Sequence, residues 1–160
     1  MQNNKNAECT KVEIVRINNP YDFWISVRQH KKCLSIFSSA IARDENINNK
    51  LDYETVQNIL YRNLVSLPIG YYSALEDKWY RARMIELKKV FGGDQELVCY
   101  LIDTGETCQA PISQYKKITN KKLINFSPLV KHCALYGIKP NPDGQMFRFE
   151  LFMFPYLFIY

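Results

Sequence analysis

At 160 residues, 47% apolar and 14% aromatic, the chain is long and apolar enough to bury a core, which excludes a disordered tail. Its 21 Lys and Arg against 16 Asp and Glu leave a net charge of +5, too mild and too dispersed to argue by itself for nucleic acid. Five cysteines, Cys9, Cys33, Cys99, Cys108 and Cys133, form no C-x-x-C pair and have no His-x-x-x-His nearby, so they read as reduced thiols of an intracellular protein and not as zinc ligands.

In chain order, "MQNNKNAECTK" lacks the apolar core of a signal peptide. Lys11–Ile17 and Phe23–Val27 are rich in branched and aromatic residues and flank "NNPYD", which predicts an antiparallel hairpin. Between Asp52 and Leu64 the apolar residues Val56, Ile59, Leu60 and Leu64 recur at helical spacing behind a capping aspartate. "SLPIG" ends that helix, with Pro68 as breaker and Gly70 as turn former. Tyr71–Leu75, Trp79–Leu87 and Glu96–Ile102, parted by turn formers, predict a compact meander resembling a small barrel, and a fourth strand is expected near Thr107–Ile112. A polar helical turn over Ser113–Ile118, an apolar segment Pro128–Ile138, a sharp turn at "KPNPDG" and a strand Gln145–Phe154 complete the order.

The outer β segments are too few to stand alone, so they are expected to pair with each other, with the barrel inserted between them. The closing run "LFMFPYLFIY" has ten residues, too few to span a bilayer, and contains Pro155. A chain ending inside such a run reads as a piece of a longer protein.

Signs of catalysis are sparse. No G-x-S-x-G, P-loop or H-E-x-x-H motif occurs. His132 and Cys133 are adjacent on an expected strand and point to opposite faces, so a nucleophile–base pair is disfavoured and His132 reads as a core or rim histidine. Asp103 and Glu106 share one turn, but two carboxylates fall short of the six or more oxygens that calcium takes. No cofactor is expected. The basic stretches "KKCLSIFSS" and "YKKITNKK" read as solvated loops, with Lys31, Lys32, Lys116, Lys117, Lys121 and Lys122 kept as a runner-up RNA surface.

The segments "INNPYDFWI", "GYYSALEDKWYRARMI", "VCYLIDTGE" and "SPLVKHCALYGIKP" carry a resemblance to the extended Tudor domain, in order and across Val12–Phe154. "DKWYRARMI" resembles the second barrel strand, "LIDTGE" the I-D-Y-G-N turn, and "CALYGIKP" the strand that returns to the flanking lobe. The resemblance implies a mainly β fold with one linking helix: a Tudor barrel inserted into a staphylococcal-nuclease-like, OB-type β lobe. It implies one domain over 1–160, with the lobe at 11–51 and 119–160, the helix at 52–65 and the barrel at 66–118.

The same resemblance implies a non-catalytic module that reads arginine in the N-terminal tails of Piwi-family proteins, within a cytoplasmic, perinuclear germ granule. Other Tudor scaffolds, or a second copy of this chain, are further candidate partners, and Krimper-like scaffolds, whose domains differ in cage completeness, fit the pattern. The family's cage is expected here to be incomplete. Tyr80 matches one ring; the first ring falls at Leu75 or Glu76, Leu101 stands where Phe or Tyr is usual, Thr104 replaces the tyrosine of D-Y-G-N, and Glu106 replaces its asparagine. Either the site is dead, or Glu106 with Asp103 or Glu76 engages an unmethylated arginine.

Overall fold

The computed structural model describes residues 11–26, 29–44, 49–62, 67–90 and 94–135, and everything below concerns these. The expected turn at "KPNPDG" and strand Gln145–Phe154 lie outside them. Strands β1 (Glu13–Asn19) and β2 (Asp22–Ser26) form the hairpin expected from "NNPYD", and β2 pairs on its other side with β8 (Lys131–Cys133). The beginning and the end of the described chain therefore share one antiparallel sheet, in the order β1-β2-β8. Phe23, Ile25 and Cys133 are the buried residues of its core.

The intervening chain builds a second sheet of order β6-β5-β4-β3-β7, from β3 (Ile69–Ser73), β4 (Lys78–Lys89), β5 (Gln95–Leu101), β6 (Thr107–Pro111) and β7 (Tyr115–Lys117). Its core gathers Ala82, Met84, Leu97, Cys99, Leu101 and Ala110, the inward set of alternating strand positions, with Tyr115 closing one side. A register shift between Met84 and Glu86 marks a bulge, and Ile85 within it is half exposed. The segment expected as a polar helical turn splits into a short 3-10 turn, Ile112–Gln114, and strand β7, because Tyr115 is drawn into the core and donates its hydroxyl to the Leu97 carbonyl.

Two helices precede the second sheet where one was expected. The expected one is α2 (Tyr53–Tyr61), whose N-cap Asp52 accepts a 2.7 Å hydrogen bond from the Thr55 N–H and whose Val56 is fully buried. The other, α1 (His30–Ala42), occupies the stretch read as a basic loop. Leu34, Phe37 and Ile41 fall on one face of it, toward Ile118, Leu123 and Leu129. Lys31 and Lys32 stay exposed on that helix. Gly70 is a strand residue of β3 and not a turn former: a Cβ there would stand 3.0 Å from Ile41 Cγ2, so its bare backbone lets α1 approach the sheet. Helix α3 (Lys121–Asn125), N-capped by Asn120, leads back to β8.

Candidate functional site

The turn after β5 is where the two sheets meet. Leu101 N–H bonds the Glu106 carbonyl at 2.7 Å and Gly105 N–H bonds the Leu101 carbonyl at 3.0 Å, which folds "LIDTGE" tightly on itself. Gly105 has φ +77 and lies flat against the Trp24 indole, where an added Cβ would come within 2.4 Å of the ring. Both conditions demand glycine. Trp24 is held in turn by its own Nε1 donating to the Tyr100 hydroxyl at 3.2 Å and by stacking on His132 at 4.6 Å. His132 stands exposed at the rim and pairs with Asp22 at 2.7 Å, while Cys133 points to the buried side. That is the rim histidine of the sequence reading.

The first acid of the turn, Asp103, does not face a ligand. It is 1% exposed and grips Arg81 through two bonds, Nε to Oδ2 at 2.8 Å and Nη2 to Oδ1 at 2.6 Å, and it also accepts from the Leu129 N–H. Arg81 donates further to the carbonyls of Leu123, Phe126 and Ser127 and lies over the Phe37 ring at 4.7 Å. His30 donates its Nε2 to the Asp103 carbonyl at 2.6 Å. The expectation that Asp103 helps to bind arginine from outside is therefore corrected. Its carboxylate is saturated by an arginine of the chain itself, as a buried charge has to be.

A cavity of about 340 Å³ opens beside the same turn, lined by Tyr71, Glu76, Tyr80, Leu101, Glu106 and Arg16 among others. Of the residues expected at the site, Glu76, Tyr80, Leu101 and Glu106 are thus brought together. Leu75 is not: it sits on the β3–β4 turn, 96% exposed, and turns away from the cavity wall that Glu76 helps to form. Thr104 stands half-buried on the turn, its hydroxyl 3.5 Å from Glu106.

Sequence reasoning missed several members, Tyr71 and Arg16 among them. Tyr71 is the register partner of Tyr80 across β3 and β4, so it adds a second ring where one was expected. A hairpin centred on Leu75–Glu76 dictates that pairing, and the signal was readable. Arg16 arrives from β1 in the other sheet, 3.8 Å from Glu106 and 3.5 Å from the Gly105 carbonyl. No local pattern announces it.

The neutral groups and the acids of the cavity divide cleanly. Burial, reinforced by the hydrogen bond that Tyr80 donates to Glu76, pushes the Tyr80 phenol well above its usual range. Burial likewise raises Tyr71 and Cys108, and takes Cys99 behind them up to about 12. These phenols and thiols therefore stay protonated at neutral pH. Among the described residues no three His, Cys, Asp or Glu side chains converge to hold a metal ion. Among the described residues, too, no helix is long and apolar enough to cross a membrane.

The fold is shared with solved structures. The Drosophila melanogaster Papi extended Tudor domain, there in complex with an unmethylated Piwi N-terminal peptide, matches with a TM-score of 0.61 at 14% identity, over 78% of this chain and 57% of that one. The BmPAPI extended Tudor domain in complex with sDMA matches at 0.62 and 18% identity, over 82% and 61%. The human TDRD1 extended Tudor domain, in complex with a symmetrically dimethylated peptide, matches at 0.60 and 18% identity, over 81% and 58%. The chain spans about three-fifths of the length of these structures. No relative was found among curated proteins. The Tudor domain family model matches residues 4–137, most of the chain, and with the two-sheet architecture this places the protein in the Tudor domain family.

Proposed function

We propose that this chain is a non-catalytic interaction module that binds an arginine-containing N-terminal peptide of a Piwi-family protein, and that it does so without requiring arginine methylation. The reading treats 1–160 as one extended Tudor domain, with 11–51 and 119–160 as the flanking lobe and 66–118 as the barrel. The arginine would enter the cavity between Tyr71 and Tyr80. The observation that carries the proposal is the presence of two carboxylates, Glu76 and Glu106, beside two rings, Tyr71 and Tyr80, among the described residues of the cavity wall.

The physics follows from the ligand. A guanidinium offers five N–H donors in a planar fork, which carboxylates accept in bidentate fashion, and methylation removes donors while adding apolar surface. Methyl groups gain from a surround of ring faces. Leu101 and Thr104 supply none, so this cavity favours the donors. That neighbouring structures hold arginine peptides in both unmethylated and dimethylated form supports the ligand class. A scaffold role in a germline small-RNA pathway, at cytoplasmic granules, is the setting such a ligand would imply.

Calorimetry on point variants tests this. Glu106→Gln should weaken an unmethylated Piwi-tail peptide by about 1–3 kcal/mol when the bound guanidinium desolvates the pair, the range for losing a charged hydrogen-bond partner. Affinity unchanged in both Glu106→Gln and Glu76→Gln would show that the peptide, if bound, sits elsewhere.

A further inference from the structure

The cavity is already visited by an arginine. Arg16 projects from β1, an edge strand of the three-stranded sheet among the described residues, and reaches across to the turn that follows β5. Its register partner is Trp24, and its guanidinium lies 5.5 Å from that ring's centroid. The guanidinium thus faces an indole that Gly105, Tyr100 and His132 hold in place.

Its polar contacts toward the cavity are long. Glu106 is 3.8 Å away, the Gly105 carbonyl 3.5 Å, and the best contact is Nε to Asn18 Oδ1 at 3.1 Å on the exposed side. Both partners of the Glu106 pair are substantially exposed, at 36% and 52%, so water screens the attraction. Arg81, by contrast, makes bonds of 2.6–2.8 Å to Asp103 out of reach of solvent.

We infer that Arg16 is an affinity-determining residue of the cavity: an internal cation that occupies Glu106 until an incoming guanidinium displaces it. The inference rests on the arginine-binding reading above. With Arg16 in place, one cation offsets the two carboxylates of the cavity wall, so a ligand arginine gains Glu106 only by releasing a like charge. Its own contribution is that of an exposed ion pair, which bounds the effect to a few-fold. Arg16 also separates the two carboxylates of the wall. It leaves Glu76, with the Tyr80 hydroxyl on it, as the carboxylate first open to a ligand.

The test is a thermodynamic cycle read by calorimetry, with an unmethylated Piwi N-terminal peptide as the probe. Arg16→Gln removes the charge together with the guanidinium's contact to Trp24; it should tighten the peptide about two- to fivefold. Arg16→Lys, which keeps the charge, should stay near wild type. In a Glu106→Gln background the gain from Arg16→Gln should vanish. In labelled wild-type protein the Trp24 indole N–H and the Arg16 Nε–H resonances should move when peptide is added.

Equal or weaker binding by Arg16→Gln, with the wild type binding, overturns the displacement while leaving the arginine-binding reading intact. A gain that persists undiminished in the Glu106→Gln background also overturns it, since the effect would then be one of general charge. No binding by any variant, all of them folded by their thermal unfolding curves, overturns both.

Discussion

Two arginine–carboxylate pairs meet at one turn and do opposite things. Asp103 and Glu106 are three residues apart, yet Asp103 is buried against Arg81 with every oxygen engaged, while Glu106 stands half exposed with Arg16 at 3.8 Å. The difference lies in what covers them. Helices α1 and α3 and the carbonyls of Leu123, Phe126 and Ser127 close over Arg81, whereas among the described residues Glu106 is met by Arg16 from an edge strand. Burial turns the first pair into a clasp between the segments of the chain. Exposure leaves the second free to exchange partners.

The largest expected effect comes from breaking the clasp. Arg81→Ala leaves Asp103 buried without its partner and should cost about 3–5 kcal/mol in chemical denaturation. A sharper version replaces both partners, Arg81→Met with Asp103→Leu. Apolar pairs often substitute for buried ion pairs without loss, but here three backbone carbonyls also lose their donor, so the double variant should remain clearly destabilised. Wild-type stability in the double variant would show that the carbonyl contacts contribute nothing.

Next comes the platform shared by both pairs. Gly105→Ala forces a Cβ into the Trp24 ring and a positive φ on alanine, and should cost about 1–3 kcal/mol from overpacking, with the backbone strain in addition. Because the turn carries Glu106, peptide affinity should fall as well. A loss of stability under about 0.5 kcal/mol, the range of an ordinary surface substitution, would mean that the indole yields readily.

How much of this was legible in the sequence follows from the range over which each signal acts. Asp52 announces α2 because a cap is a local event, and "NNPYD" announces the first hairpin for the same reason. Helix α1 was missed because its start, Gln29, makes no side-chain cap, its first turn carries no acid, and Ile36, Ser35 and Ser39 dilute the apolar stripe with outward residues. The "IDTGE" turn was found, but the two acids in it look alike as letters. Only the tertiary position of Arg81, 22 residues upstream, separates the structural acid from the exposed one. Tyr71 was recoverable by counting outward from the β3–β4 turn, and Arg16 was not, since the turn it reaches lies 89 positions away.

The smallest effect concerns acid. Asp44 is partly buried, which opposes its ionisation, but the Thr119 hydroxyl and N–H and the Asn120 N–H donate to its carboxylate and hold its pKa below the ordinary value. A depressed carboxylate stabilises the fold above its unfolded pKa, near about 4, and that contribution is lost as pH falls through the folded value. Asp22, through Asn18 and then His132, and Asp52, through Thr55, act in the same direction. Unfolding midpoints should therefore drop from about pH 5 downward, and Asp44→Asn should show a smaller drop than wild type. An equal drop would remove Asp44 from that account.

The most direct test of the exposed acid's role is a calorimetric comparison of one Piwi-tail peptide in unmethylated and symmetrically dimethylated form. With Glu76 and Glu106 on the wall and, among its described residues, rings at Tyr71 and Tyr80, the unmethylated peptide should bind at least as tightly as the methylated one. A tenfold preference for the methylated peptide, about 1.4 kcal/mol, would contradict it and point to ring faces that this cavity does not supply.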